Sequence, residues 1–292
     1  MSSTIEMRKL SSKNIVSPKG FKAAGIHAGI KHKKKDLAIL VSEVPASVAG
    51  VFTTNAVQAA PLKVTKEVVY NTAKMQAIIV NSGNANACTG KQGIADAYEM
   101  QALAAEKLGI EPYLIGVAST GVIGEIMKMG PIQNGVPQLE PSDSLESGID
   151  FAQAILTTDT VMKNTTYATV IDGKEVLVSG TAKGSGMIEP NMATMLGFIT
   201  TDANIESAEL QKALSQITDC TFNAITVDGD TSTNDTVLVM ANGLAGNETL
   251  TPSHPDWENF YTALRLVAED LAKSIARDGE GATKLIEVEV EG

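Results

Sequence analysis

Three histidines and two cysteines leave few routes to nucleophilic or metal chemistry in a chain of 292 residues. A Ser-His-Asp or Cys-His arrangement needs an imidazole base, and His27, His32 and His254 all lie outside any segment that looks like an active-site loop. His27 sits in a Gly/Ala-rich stretch without companions at metal-ligand spacing, so it reads as structural. Cys88 and Cys220 are far apart, with neither a second cysteine nor a histidine beside them. No disulfide framework and no zinc site is expected from them; burial in the core is.

A threonine at a newly made N-terminus needs no histidine. Its own α-amine, with a pKa of about 7.7 to 8.0, can take the hydroxyl proton near neutral pH. The Ala193–Thr194 bond has the features such self-cleavage asks for: a small residue before it, a hydroxyl residue after it, and a glycine-rich approach able to hold a strained peptide. Strand-like residues follow to anchor the new terminus. On residue type alone, Thr194 reads first as a threonine that packs at the start of a strand, as most such threonines do.

The elements that would position this bond alternate between β and α. Strands are expected at 37–44, 49–53 and 76–80, rich in aliphatic and β-branched residues. A helix follows with Ala97, Met100, Ala104 and Leu108 on one face, stopped by Gly109. The strand 113–118 runs into Ser119-Thr120-Gly121-Val122-Ile123-Gly124, expected to be a loop that presents peptide N–H groups. The stretch 133–147 reads as a surface excursion. Asp172-Gly173 marks a tight hairpin between strands at 167–171 and 175–178. The Gly and Pro content of residues 183–197 excludes a regular helix through the first half, and apolar residues on both sides suggest a buried irregular segment. Then come strand 198–200, a helix through Leu210, Leu214 and Ile217, two strands around 228–235 including 236–240, a helix through Phe260, Leu264, Val267, Leu271 and Ile275, and a strand at 285–290. The pattern is mixed α and β, with helices layered over sheets.

The segment Lys183–Ala203, KGSGMIEPNMATMLGFITTDA, resembles the self-cleavage region of the ornithine acetyltransferase (ArgJ-type glutamate N-acetyltransferase) family, whose precursor splits between Ala and Thr. The similarity continues through NSGNANACTG from Asn81, STGVIG from Ser119, TTDT from Thr157 and VDGDTSTNDT from Val227. It spans nearly the whole chain.

The resemblance implies a layered α/β fold of the ArgJ/DmpA-like, self-processing N-terminal-nucleophile kind. It implies an α fragment, 1–193, and the start of a β fragment, 194–292, paired as a heterotetramer of two α and two β chains. Thr194 would carry the acetyl group from N2-acetylornithine to glutamate. The pair Thr120 and Gly121 would stabilise the oxyanion, and Thr157, Lys183 and Glu280 would contact substrate alongside Thr194. Between Thr157 and Thr158 the sequence does not decide, and Thr157 is preferred. No metal or cofactor is implied; acetyl-CoA stays open as a co-substrate. Family members continue past the position of Gly292, and their extreme C-terminus supplies two further substrate contacts.

Composition bounds the rest. A net charge of −11 and a pI near 4.8 argue against nucleic acid. No run approaches the roughly 20 apolar residues of a membrane span, and the polar N-terminus lacks a signal-peptide core, so a cytoplasmic protein is expected. The only basic run, Lys31-His32-Lys33-Lys34-Lys35, reads as a solvated turn or a steering patch for an anionic substrate. Asp228–Asp235 lacks the ligand spacing of a calcium loop and reads as a polar loop beside the site. Two rivals remain: a self-processing aminopeptidase or amide hydrolase, and a non-catalytic binding protein that never cleaves.

Overall fold

The structure, a computed structural model, describes residues 7–189 and 195–289. Its strands are β1 (Met7–Lys9), β2 (Phe21–Ile26), β3 (Leu37–Phe52), β4 (Lys74–Asn84), β5 (Ile115–Val122), β6 (Lys163–Ile171), β7 (Lys174–Lys183), β8 (Leu196–Thr201) and β9 (Thr236–Ala241). Its helices are α1 (Ala60–Glu67), α2 (Gly90–Leu108), α3 (Met129–Gly135), α4 (Leu145–Ala154), α5 (Ser207–Cys220) and α6 (Trp257–Arg277).

These strands form one sheet in the order β1-β6-β7-β8-β9-β3-β4-β5, with β2 added on β3. Two pairs are parallel, β4 with β5 and β8 with β9. Each is joined through a helix, α2 or α5, because a parallel return needs a crossover longer than a turn. Both faces of the sheet are covered. Val237 and Val239 of β9 point into a cluster with Leu214, Phe260, Leu264 and Leu271 of α5 and α6. Their neighbours Leu238 and Met240 point the other way, against Phe198, Leu40, Ile78 and Phe151. Over β3 to β5, Ala97 and Met100 of α2 and Ile132 of α3 pack on Ile39, Ile79 and Val117. The mixed α/β, layered expectation is met.

Several elements differ from the expectation. The strands expected at 37–44 and 49–53 are one strand, β3, whose register with β4 shifts between Val41 and Ala46. Pro45 lies in that shift, where a missing N–H is tolerated. Its first half pairs with β2 and β4 and its second half with β9. The 133–147 stretch is not an excursion: it holds the end of α3 and the start of α4, buries Val136 and Leu139, and Ser142 bridges Ala23 of β2. Of the two strands expected around 228–235, only β9 forms among the described residues, and 282–289 joins no described strand despite its alternating pattern. Alternation makes a strand only where an edge is available to pair.

Both cysteines are exposed, which overturns their expected burial. Cys88 takes φ +60 in the turn before α2, and Cys220 ends α5 on its outer side. His27 is exposed too, its Nδ1 bound to Asp36. Among the described residues no helix is long and apolar enough to cross a membrane.

Candidate active site

The bond between Ala193 and Thr194 lies outside the described residues, but both ends of the segment that carries it are in place. Lys183, the last residue of β7, pairs with Leu196, the first of β8. The intervening chain is therefore a long hairpin connection at one end of the sheet. Carboxylates fasten it through backbone N–H groups. Gly184 N donates to Asp159 Oδ1 at 2.7 Å, and Met187 N and Ile188 N donate to the two oxygens of Asp228 at 2.7 and 2.9 Å. Met195 N donates to Asp235 Oδ1 at 2.9 Å. The polar loop 228–235 thus lies beside the site, as expected, and its acids hold backbone. Met187 takes φ +56, a left-handed conformation unfavourable for a side-chain-bearing residue, so strain is stored in the connection that leaves β7.

Lys183 is buried, not the solvated hairpin residue its type would suggest, and its Nζ lies 3.4 Å from Thr120 Oγ1. Burial pushes its pKa down, with Lys163 pushing the same way and Asp159, Asp235 and Glu280 opposing. Thr120 and Gly121, expected in a loop, instead close the end of β5. The strand continues because β4 does too, the pairing carrying on past a shift in register at Gly83 and Asn84. Gly121 has φ +132, and a Cβ there would overlap the backbone of Gly83 and Asn84. Asn234 Nδ2 donates to Ala85 O at 2.7 Å and Ser119 O at 2.8 Å, tying the end of β5 to the start of β9.

Glu280 is exposed in the turn after α6. Its N–H donates to Ser185 O at 2.7 Å, and its carboxylate occupies the space where a Cβ on Gly186 would stand. Thr157 is half-buried and its N–H donates to Asp159 Oδ2 at 3.0 Å, while the Thr158 hydroxyl meets Ser185 Oγ at 2.8 Å. Both threonines therefore border the segment. Thr120, Gly121, Lys183 and Glu280 are brought to it as well.

Three buried or half-buried groups went unread from sequence. Asp159 is buried, and burial opposes its charge, but Lys183, Lys163 and the Gly184 N–H together hold its carboxyl below the usual range. Lys163, also buried, bridges Asp159 Oδ1 at 2.7 Å and Asp278 Oδ2 at 2.6 Å. Lys31, far from solvated, is half-buried over Gly83 with Nζ donating to Leu156 O at 2.9 Å; burial lowers its pKa to about 8. The signals were present, in TTDT and in the basic run, but residue type does not reveal which charges are desolvated.

Among the described residues one group of metal-ligating type clusters, Asp172, His254 and Asp256. Its atoms are already engaged: Asp256 N donates to His254 Nδ1 at 3.0 Å, Asp172 N to Asp256 Oδ2 at 2.9 Å, and Glu248 N to Asp172 Oδ2 at 2.8 Å. It stitches the β6–β7 turn to α6, at the end of β7 remote from Lys183.

The ArgJ family model matches residues 22–292. The chain belongs to the ArgJ family. It is 63% identical to the arginine biosynthesis bifunctional protein ArgJ of Halalkalibacterium halodurans over 289 residues, covering 99% of this chain and 70% of that one. Among solved structures, the crystal structure of the arginine biosynthesis bifunctional protein ArgJ from Bacillus halodurans superposes with a TM-score of 0.62 at 54% identity, over 64% of this chain and 98% of that chain. The ornithine acetyltransferase of Mycobacterium tuberculosis, complexed with ornithine, does so with 0.58 at 35% identity, over 63% and 98%. Over the covered part of the ArgJ-family chain, the layered α/β architecture therefore belongs to a fold already seen in relatives.

Proposed function

We propose that this chain cuts itself between Ala193 and Thr194 and then moves an acetyl group from N2-acetylornithine to glutamate, releasing ornithine and N-acetylglutamate in arginine biosynthesis. The freed Thr194 amine takes the hydroxyl proton, and Oγ attacks the acetyl carbonyl. Donors from Thr120 and Gly121 face the oxyanion as it develops, which is where such donors act most strongly. Ornithine leaves, and the glutamate amine takes the acetyl group from the Thr194 ester. Lys183 suits a substrate carboxylate, Glu280 an ammonium, and the Thr157 hydroxyl either.

The observation that carries this reading is the contact of Lys183 with Thr120, residues 63 apart in sequence, directly beside the strand that begins after Thr194. The relatives' names support it. So does a length: 64% of 292 residues is about 187, close to the 193 that precede Thr194, and it accounts for nearly all of the solved Bacillus halodurans chain. No step uses a metal or an organic cofactor; acetyl-CoA enters as a second acetyl donor feeding the same acetyl-Thr194. The fragments assemble as two α with two β chains, in the cytoplasm.

Intact mass under denaturing conditions, with an assay of ornithine release, tests the proposal. The parent chain should give two fragments split before Thr194, Thr194→Ala one uncut chain, and ornithine release from acetylornithine should require glutamate. An uncut parent, or release that proceeds equally without glutamate, sinks it.

A further inference from the structure

Acetylornithine and glutamate differ in charge at the far end of the side chain, and one site has to take both in turn. Acetylornithine carries one carboxylate and a side-chain ammonium, whereas glutamate carries two carboxylates. Lys183 for a carboxylate and Glu280 for an ammonium meet the needs of the first. The second carboxylate of glutamate finds no cation in that pair, and Glu280 repels it.

Three lysines lie within electrostatic reach of Asp159. Lys163 is committed, its ammonium held between Asp159 and Asp278. Lys183 is buried beside Thr120. The third is Lys31, brought in by the connection between β2 and β3. Asp36, fully buried, folds that connection back on itself. Its carboxylate accepts the N–H groups of Ala28 at 2.6 Å, Gly29 at 3.2 Å and Lys31 at 2.8 Å, and its carbonyl accepts the Ser82 N–H at 2.8 Å. The Lys31 stem then crosses Gly83, where an added Cβ would stand 3.0 Å from its Cγ, and Gly83 is the β4 partner of Gly121. Its ammonium donates to Leu156 O at 2.9 Å, one residue before Thr157. Lys31 is thus held between the Gly83–Gly121 pair and the stretch that carries Thr157 and Asp159.

An ammonium has three donors, and buried charges are ordinarily paired. Among the described residues the acceptor of Lys31 Nζ is a neutral carbonyl, and no carboxylate stands within ion-pair distance. Two donors and the charge are left for a ligand.

We infer that Lys31 selects glutamate as the acetyl acceptor, its ammonium taking the γ-carboxylate that acetylornithine lacks. The inference rests on the proposed acetyl transfer and deepens it. Burial lowers Lys31 to about 8, with Lys34 and Lys183 pushing the same way and Asp36 and Asp159 opposing. The amine is therefore still charged at neutral pH, and a bound carboxylate favours that form further. The rest of the basic run does not compete for the role: Lys35 is paired with Asp150, and Lys33 and Lys34 are exposed. The phosphates of acetyl-CoA offer the same anionic chemistry as a carboxylate, and the test separates the two.

When transfer runs through an acetyl-enzyme, kcat/KM for the donor and for the acceptor each report their own half of the reaction. Both would be measured for the parent, Lys31→Met and Lys31→Arg, with acetylornithine as donor and glutamate or glutamine as acceptor, and again with acetyl-CoA as donor. Lys31→Met keeps a stem over Gly83 and removes the charge. A hydrogen bond to a charged group is worth about tenfold or more, so kcat/KM for glutamate should fall at least about tenfold further than kcat/KM for acetylornithine. Glutamine, which lacks the γ-carboxylate, should lose much less than glutamate, and Lys31→Arg should recover part of the loss. Equal losses for glutamate and acetylornithine would place Lys31 on the carboxylate they share, or in the fold alone, and overturn the inference. A loss confined to acetyl-CoA would assign the ammonium to phosphate and overturn it too. A parent that moves no acetyl group to either acceptor removes the transfer reading and this inference together. A parent that transfers, beside a Lys31→Met chain with unchanged glutamate kinetics, removes this inference alone.

Discussion

Asp159 and Asp235 are the same residue type, both buried, both accepting a backbone N–H from the cleavage segment, yet they are driven in opposite directions. Burial disfavours the charge of each. For Asp159, two lysines, Lys183 and Lys163, outweigh burial and hold it ionised. For Asp235 the Met195 N–H, the Ser232 and Thr53 hydroxyls and a single lysine, Lys183, oppose burial, and burial wins, raising it to about 7. The consequences for stability have opposite signs. Asp159, with its folded-state pKa depressed, contributes stability that is present above the unfolded value near 4 and is lost as pH falls through the folded value. Asp235, with its folded-state pKa raised, binds its proton more tightly in the folded chain, so between about pH 4 and 7 stability falls as pH rises, by at most about 1.4 kcal/mol per pH unit. Denaturant unfolding of Thr194→Ala should therefore lose stability relative to Thr194→Ala/Asp235→Asn from pH 4.5 to 7 and run parallel to it above. Both proteins should share the acid limb below pH 4. Parallel curves across the whole range would show that Asp235 is not protonated in the folded chain.

The close approach of β4 and β5 decides where the Thr120–Gly121 pair sits. Gly121 combines φ +132 with a position where a Cβ would overlap neighbouring backbone, whereas Gly124, with φ +84, has nothing within 4 Å. Gly124→Ala should cost only the backbone strain, about 1 kcal/mol, and Gly121→Ala the strain plus overpacking, together at least about 2 kcal/mol. Equal costs by denaturant unfolding would mean that the two strands can separate freely at that point. The same pairing explains what the sequence hid. A glycine pair after a strand looks like a loop; only β4, folded alongside, makes it the end of a strand. The helices α2, α5 and α6 were legible because each has one apolar face, and the β6–β7 hairpin because Asp172 and Gly173 both take positive φ, +53 and +70, as a tight hairpin turn of that kind requires. β3 was not, because its 41–46 shift, with a proline inside, mimics a break. In the site, Lys183, Glu280, Thr120 and Gly121 came from the family motif, while Asp159, Lys163 and Lys31 depend on burial that only tertiary packing creates.

On the scale of the whole molecule, the proposed cleavage site does not divide two domains. It divides one sheet. The residues after Thr194 supply β8 and β9, which lie between β7 on one side and β3 on the other, both supplied by residues before it. The same residues supply α5 and α6, whose Leu214, Phe260, Leu264 and Leu271 share one core with Ile171, Val176 and Val178 of the preceding fragment. Separation would expose two strand edges and that shared core, at about 1.5–3 kcal/mol for each large apolar side chain returned to water. The proposed cut just ahead of β8 would therefore free a terminus while leaving its surroundings in place, which is what an N-terminal nucleophile needs: the new amine must appear inside a finished site. The two fragments should accordingly elute together from gel filtration under native conditions, appear separately only under denaturing ones, and unfold in a single cooperative transition. Elution of the fragments apart under native conditions would mean that the strands of β8 and β9 are held by the uncut connection, not by the sheet and core on either side of them.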